Sequence, residues 1–401
     1  MNTKNNVEII KLDDLGRGIG YINNKIIFIP NALPDEIVNI EIIKETNKYY
    51  EGKVIDYVKK SNDRIHPRCP YYNKCGGCNL MHMTYEKSII YKENKLKNIL
   101  KKFSNTEIEI EVIENERPFN YRNKIELKIE NNKWGYYNSK THDFVEIKYC
   151  VIAKDSINDV ISCKNLFDIN NGIITIRSNY NNEILISIKT QDEINIRMDY
   201  LKSKIKLVGI VVNDKILYGN NYFIEKYNDL FFKVNYDSFF QINEYISKKM
   251  INILKSNIKG NNLLDLYCGV GFLGLCVSEN FNNLYGVEIN RNSVLDAIKN
   301  SEINNIYNSY FICGDSSDIV DKINAEIDTI IVDPPRNGLY GNTINDILSI
   351  EPETLVYVSC NPITLARDLN ILKETYKIEK VYLLDMFSNT YHFETIVILK
   401  K

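Results

Sequence analysis

No stretch of this chain reaches the roughly 18 consecutive apolar residues that a membrane-spanning helix needs. Its opening residues, "MNTKNNVEII", lack the apolar core of a secretory signal. Charge of one sign is also missing. The 50 Lys and Arg stand against 52 Asp and Glu, a net charge of −2, so no global basic field announces nucleic acid. No tandem repeat is visible, which argues against a solenoid or a propeller. These absences leave a cytoplasmic, non-membrane protein as the expectation. Its nine cysteines are then expected as reduced thiols, metal ligands or catalysts, and a disulfide framework is not expected. The 401 residues suffice for two or three domains, and 44% hydrophobic with 25% charged residues is a globular composition.

Charge is uneven along the chain. Residues 1–150 carry 25 Lys and Arg against 21 Asp and Glu, net +4, while residues 151–401 carry 25 against 31, net −6. A mildly basic front half hints at a polyanion partner. Residues 1–60 alternate short strand patterns with turns, with a hairpin tip at Asn23-Asn24 and a strand end at Pro30-Asn31. Such spacing suggests a small OB-type β-barrel. Segment 61–80 is rich in cysteine and proline and is expected to be irregular. A helix is predicted over about 84–102, with Thr84 as N-cap and lysines in its last turns. Residues 110–235 read mostly as strands, so 61–235 is expected to form a mixed, mostly β central domain, with packing of its helix at about 84–102 on the domain that follows as an option.

From about residue 236 the rhythm changes. Apolar strands alternate with helices, and polar residues close the strands: Asp265, Glu288, Asp315, Asp333, Cys360 and Asp385. They stand 23, 27, 18, 27 and 25 residues apart, the length of a repeated strand-plus-helix unit. The fold class is therefore α/β, with a doubly wound, Rossmann-like, mostly parallel sheet over 236–401. Ligands of such sheets bind outside the carboxyl ends of the strands. Cys360, in "VYVSCNP", thus shares a rim with several carboxylates, although a buried packing role is the plain alternative for a free cysteine.

"CGVGFLG" places G-x-G-x-x-G at Gly269, Gly271 and Gly274, straight after a strand and opening a helix. Glu288 ends the next strand, where a carboxylate can accept both ribose hydroxyls of an adenosine. An NAD enzyme would satisfy this much. Asp265, however, stands just before the loop. It would repel a pyrophosphate and attract the ammonium of an aminoacyl group. "DPPR", Asp333 to Arg336, then makes a rigid turn where a flipped base or methyl acceptor is often held. S-adenosylmethionine fits better than NAD, and a glycine turn without ligand is the plain alternative.

"FFQIN" (Phe239 to Asn243), "DLYCGVGFLGL", "VDPPRNGL", "VSCNP" and "HFETIVIL" occur in this order. In them the chain resembles the RNA uracil-5-methyltransferases over nearly its whole length, and residues 1–60 resemble the TRAM module that precedes this enzyme type. The resemblance is to the cluster-bearing ribosomal RNA branch, which has four cysteines matched here by Cys69, Cys75, Cys78 and Cys150. The tRNA branch generally lacks both TRAM module and cluster. The resemblance implies methylation of uridine C5 in 23S ribosomal RNA. Its expected partner is a single-stranded or loop region with the uridine flipped out of its stack, bound by a monomer. The tRNA reaction is the alternative, followed by an NAD-dependent oxidoreductase and a non-catalytic RNA-binding protein.

The same resemblance implies the residues. C5 of uracil is a poor nucleophile, and addition of a thiolate to C6 makes it enolate-like; Cys360 matches that thiolate. Glu394 matches the base that removes the C5 proton, with His392, two residues earlier on a supposed common strand face, as runner-up. Asp333 is expected against the methionyl group, the uracil edge, or both. Gln241 matches a cofactor-binding glutamine, Tyr267 is expected along the adenosine, and Asp315 at the adenine amino group. Position 272 holds Phe where some relatives have a polar cofactor contact, so that contact is not carried over. Within "NYRNK", Arg122 and Lys124 are candidates for RNA phosphates, or an ordinary solvated basic strand. The run "CPYYNKCGGC" gives C-x5-C-x2-C, and Gly76-Gly77 would admit backbone N–H groups to the sulfurs. This spacing suits a 4Fe–4S cluster or a zinc ion; the resemblance favours the cluster. Cys163, Cys268, Cys276 and Cys313 are expected to be packing residues.

Overall fold

The structure is a computed structural model that describes residues 3–138, 141–316, 323–339 and 341–401. The chain forms two compact units. One comprises Met1–Lys95 with Tyr136–Val145 and Phe387–His392; the other comprises Leu96–Gly135, Glu146–Met386 and Phe393–Lys401. Among the described residues no helix is long and apolar enough to cross a membrane.

In the first unit, six strands form one sheet: β1 (Thr3–Glu8), β2 (Lys11–Leu12), β3 (Gly18–Ile22), β4 (Lys25–Ile29), β5 (Ile37–Glu45) and β6 (Tyr49–Lys59), in the order β1-β5-β6-β4-β3-β2. The apolar residues at alternate positions, Val7, Ile27, Ile29, Val38 and Ile40, meet in its core. The tip between β3 and β4 is the Asn23-Asn24 pair, both at positive φ (48° and 63°), as a two-residue turn of a right-twisted hairpin requires. A buried Glu36 accepts from the Arg64 guanidinium and from the Leu33 N–H, so the ion pair is hydrogen-bonded on both oxygens. The helix α1 (Tyr85–Ser104) starts at Thr84, whose hydroxyl accepts from Lys87 N at 3.4 Å, and ends with Lys101 and Lys102 in its last turn.

Most strands of two larger sheets belong to the second unit. Strands β7 (Ile110–Ile113), β8 (Lys124–Glu130), β9 (Lys133–Tyr137) and β10 (Phe144–Glu146) follow α1. Next come α2 (Asp155–Ser162), β11 (Phe167–Asp168), β12 (Asn171–Ser178), β13 (Glu183–Lys189) and β14 (Asn195–Ile196). Then follow α3 (Met198–Lys204), β15 (Lys206–Val212), β16 (Lys215–Gly219), and the hairpin of β17 (Tyr222–Tyr227) and β18 (Leu230–Asn235). One sheet has the order β10-β9-β8-β12-β13-β15-β16 and is antiparallel except where β13 meets β15.

The remaining elements alternate as the sequence pattern predicts. They are α4 (Glu244–Asn257), β19 (Asn262–Leu266), α5 (Phe272–Val277), β20 (Asn283–Glu288), α6 (Arg291–Ile303), β21 (Ser309–Cys313) and β22 (Thr329–Val332). After them come α7 (Gly341–Ile350), β23 (Thr354–Ser359), α8 (Pro362–Leu372), β24 (Lys377–Leu384) and β25 (Glu394–Lys400). Their sheet has the order β21-β20-β19-β22-β23-β25-β24-β7. It is parallel except for β25, which runs antiparallel to β23 and β24. Strand order reverses between β19 and β22, the place where α/β sheets open a crevice.

Two details bear on the expected division at residue 236. Strand β7 pairs parallel to β24, with Ile110 opposite Val381. Leu96, Ile99, Leu100 and Ile110 are buried in the same core as Leu264, Val332 and Tyr357. The α/β core therefore takes in residues that precede the central sheet. The physical reason is the apolar face of the second half of α1, which must be covered.

Candidate active site

Asp265 is the penultimate residue of β19 and Tyr267 follows that strand, Glu288 ends β20, Asp333 follows β22 and Cys360 follows β23. All of these strands are parallel, so these ends share one rim. Glu394 joins the rim by the opposite logic. It is the first residue of the antiparallel β25, whose Thr395 pairs with Ser359, so Glu394 comes beside Cys360. Two hydrogen bonds tie the neighbouring loops: Asn361 Nδ2 and Thr364 Oγ1 donate to the Arg336 carbonyl at 2.9 and 3.2 Å. Asn361 also caps α8, accepting from Ile363 N at 3.2 Å.

The electrostatics of this corner follow from burial. The Glu394 carboxyl is buried, and its pKa is pushed well above the usual carboxylate range by desolvation and then by the charge of Asp333. Asp333 is pushed up to about 7, by burial. The Cys360 thiol is pushed up to about 11, first by burial, then by Glu394 and Asp333. Arg336 acts in the other direction on both Cys360 and Glu394. Residue order alone assigns Arg336, the last residue of "DPPR", no role. A thiol between two carboxyls has an evident use for a nearby guanidinium, and that signal needs the tertiary arrangement.

The cofactor loop is held by carboxylates. Asp265 is almost fully buried; its Oδ2 accepts from Gly274 N at 2.9 Å, and its Oδ1 has no hydrogen-bond partner. Burial, with Asp333 and Glu288 adding, pushes it up to about 8. A Cβ at Gly274 would stand 2.8 Å from that carboxylate, so only glycine lets the helix approach the strand. Glu288 accepts from Gly269 N at 3.1 Å and from Asn290 N at 2.8 Å. Gly269 has φ +55°, and a Cβ there would meet nothing within 4 Å. The non-glycine Tyr267 also takes a positive φ, 63°, the kind of local strain that collects at ligand sites. A slot opens between Phe239, Gln241, Tyr267, Gly269 and Asp333. Its floor is Phe240 edge-on to Phe272, with ring centroids 5.0 Å apart. The orphaned Asp265 oxygen and the open space over Gly269 fit an ammonium-bearing nucleoside such as S-adenosylmethionine. A larger cavity of about 420 Å³ lies elsewhere, among Tyr227, Lys248, Lys255 and Glu279, and holds none of the rim residues.

Asp315 is exposed two residues beyond β21, next to 317–322, which lie outside the described residues. His392 precedes β25, so strand alternation does not align it with Glu394; it packs on Tyr391 with ring centroids 4.3 Å apart. Arg122 and Lys124 are half-buried and do not form a solvated strand face. Burial and then Arg177 lower the Lys124 ammonium to about 8, and Arg122 Nε donates to the Lys124 carbonyl at 2.9 Å. Gln241 is buried, and its carbonyl accepts from Asn123 Nδ2 at 3.0 Å, which joins "NYRNK" to "FFQIN".

Cys268 and Cys276 are buried as expected, but Cys163 is half-buried and Cys313 exposed, so the last two are not core residues. Among the described residues, no three His, Cys, Asp or Glu side chains stand close enough together to hold a metal ion. Cys69, Cys75, Cys78 and Cys150, the expected ligands, are all half-buried. Gly77 N does donate to Cys75 Sγ at 3.4 Å.

A family model described as tRNA (uracil-5-)-methyltransferase matches residues 84–401, and one described as TRAM domain matches residues 3–55. The chain is 32% identical to an "Uncharacterized RNA methyltransferase" of Clostridium tetani, covering 99% of this chain and 96% of that protein. It is 30% identical to a protein of the same description from Staphylococcus aureus strain N315, covering 97% and 96%. The crystal structure of Pyrococcus abyssi tRNA (uracil-54, C5)-methyltransferase in complex with S-adenosyl-L-homocysteine is similar with a TM-score of 0.81 and 26% identity. That similarity covers 99% of this chain and 100% of that one.

The rim geometry sets a direction for the Cys360 thiol. Glu394→Gln removes a negative neighbour that disfavours the thiolate, so the thiol pKa falls toward its ordinary value. Arg336→Ala removes the opposing charge, so it rises further. Iodoacetamide labelling of the Cys360 peptide, followed by mass spectrometry at pH 8–9, is expected to be faster in the first variant and slower in the second. Each unit of pKa changes the thiolate fraction about tenfold in this range. Equal rates in all three proteins would rule out this electrostatic account.

Proposed function

Since the chain belongs to the tRNA (uracil-5-)-methyltransferase family and is an S-adenosylmethionine-dependent RNA (uracil-5-)-methyltransferase, we propose that it methylates uridine through a covalent bond between Cys360 and C6. The observation that carries this reading is Cys360, Glu394 and Asp333 on three adjacent strands at one rim, next to the cofactor slot. S-adenosylmethionine, when bound, supplies an electrophilic methyl group on a sulfonium.

Cys360 Sγ, as thiolate, bonds to C6 and leaves C5 with carbanion character toward that methyl. Glu394, as carboxylate, then takes the proton from C5. The electron pair of that C–H bond re-forms C5=C6 as the C6–S bond breaks, which returns the thiolate. The raised pKa of Glu394 suits a base that must hold a proton near neutral pH. Asp265 and Glu288 face the ammonium and ribose ends of the cofactor slot, while Gln241 and Tyr267 line its sides. The uridine has to leave its stack to reach Cys360. Arg122 and Lys124 are proposed to hold RNA phosphates near the target, as half-buried cations whose charges favour an anion between them.

Cys360→Ala is expected to abolish methylation and to form no adduct with RNA. Glu394→Gln is expected to keep attack and transfer but stall elimination. A protein–RNA band that survives denaturing electrophoresis should then accumulate, and disappear when Cys360 is also changed. Methylation by Cys360→Ala would overturn the nucleophile. Normal turnover by Glu394→Gln would pass the base role to another group.

The RNA is read as 23S ribosomal RNA, on the resemblance to the branch with both TRAM module and cysteine set. The Pyrococcus abyssi tRNA enzyme, however, is similar over 99% of this chain, so the N-terminal barrel does not by itself argue against tRNA. That observation supports the second reading, a tRNA uridine. Deletion of the gene is expected to remove 5-methyluridine from 23S ribosomal RNA; its loss from tRNA alone would establish the second reading.

The spacing of Cys69, Cys75 and Cys78, with Cys150, supports a 4Fe–4S site. No step of the reaction is derived through it. Protein purified without oxygen is expected to carry about four irons and four acid-labile sulfides per chain if these thiols close on a cluster. One zinc, or no metal, would overturn that assignment and leave the methyl transfer standing.

A further inference from the structure

Helix α6 carries a polar residue at every fourth position facing β18: Asp296, Asn300 and, at its C-cap, Asn304. Among the described residues strand β18 has only β17 as a sheet partner, so one backbone edge needs satisfaction from elsewhere. The three side chains supply it. Asn304 Oδ1 accepts from Phe231 N at 2.8 Å and its Nδ2 donates to Phe231 O at 2.7 Å. Asn300 Oδ1 accepts from Lys233 N at 2.6 Å and its Nδ2 donates to Lys233 O at 3.1 Å. Asp296 Oδ2 accepts from Asn235 N at 3.2 Å. Four helical residues rise about 6 Å and two strand residues about 6.8 Å, so side chains four apart keep step with alternate strand residues for three rungs.

The middle rung does more. Asn300 is fully buried, and its Nδ2 also donates to the Val270 carbonyl at 3.0 Å. Val270 lies between Gly269 and Gly271 in one wall of the cofactor slot. The chain beyond β18 leads to Phe239, Phe240 and Gln241, the other wall, and Ser238 Oγ donates to Asp296 at 3.3 Å. One amide therefore joins the glycine loop to β18, the strand that leads to the other wall, with its acceptor and both donor hydrogens in use.

We propose that Asn300 is a positioning residue for S-adenosylmethionine, whose amide fixes the Val270 carbonyl against β18 and so sets the width of the slot. The inference rests on the cofactor site and not on the covalent route through Cys360. Asn304 provides the control, because it makes the same pair of bonds to the strand and none to the loop. Titration calorimetry with S-adenosylhomocysteine should show about tenfold weaker binding for Asn300→Ala and for the near-isosteric Asn300→Asp, which keeps the acceptor and loses both donors. The KM for S-adenosylmethionine should rise in parallel while the KM for RNA stays put. Asn304→Ala should lower the melting temperature and keep S-adenosylhomocysteine affinity within about twofold. Equal affinity of Asn300→Ala and the unsubstituted protein, or an equal loss in Asn304→Ala, would overturn the inference. An unsubstituted protein that binds no S-adenosylhomocysteine would instead overturn the cofactor site on which the inference rests.

Discussion

The pairing of β25 between β23 and β24 is the constraint on which the site depends. A parallel strand presents its last residues at the ligand rim, whereas an antiparallel one presents its first. Because Thr395 pairs with Ser359 in antiparallel register, Glu394 arrives beside Cys360 at the moment the strand begins. A slip of one residue would turn Glu394 to the opposite face of the sheet. The buried run from Thr395 to Leu399 makes such a slip costly, since every residue there packs in the core.

Desolvation then gives the site its character. Asp265, Asp333, Glu394 and Cys360 all sit where a negative charge is poorly solvated, and their pKa values rise together. In the free protein each negative charge at this rim disfavours the others. A cationic ligand reverses the balance. An ammonium near Asp265 and a sulfonium near Asp333 would favour the ionised carboxylates by simple charge complementarity. Arg336 provides a fixed positive charge on the thiol side of the same rim.

The slot is assembled from segments far apart in the chain. The glycine loop supplies one wall and Phe239–Gln241 the other, with Asn123 bonded to Gln241 and Ile242 from the central sheet. Arg177, also from that sheet, donates to the carbonyls of Asn235 and Ser238 just before the second wall. Helix α6 bridges the walls through Asp296 and Asn300. Few of these contacts are apolar. They are directional bonds between buried groups, each costly to leave unmade, and that is how loops acquire fixed positions.

Much of this is legible in residue order. The change from period-two strands to strand–helix alternation near residue 236 marks the α/β part. The polar residues Asp265, Glu288, Asp333 and Cys360 mark strand ends, because apolar runs stop where the chain leaves the core. The Asn23-Asn24 tip follows from the backbone those residues tolerate. What residue order leaves open is long-range pairing. Nothing local says that β7 joins the far edge of the sheet, or that β25 is antiparallel. Nothing local excludes His392 from the strand that Glu394 begins. The convergence of thiols is also a tertiary matter: a C-x5-C-x2-C run sets reach along the chain, but not whether the sulfurs meet. Nor does local pattern reveal the rungs on α6, which read as an ordinary polar helix face until β18 lies beside them. Periodicity and turn chemistry, which are local, fix the elements and the residues that end them. Which of those ends face one another depends on strand order and direction, and these are set by pairing between residues distant in the chain.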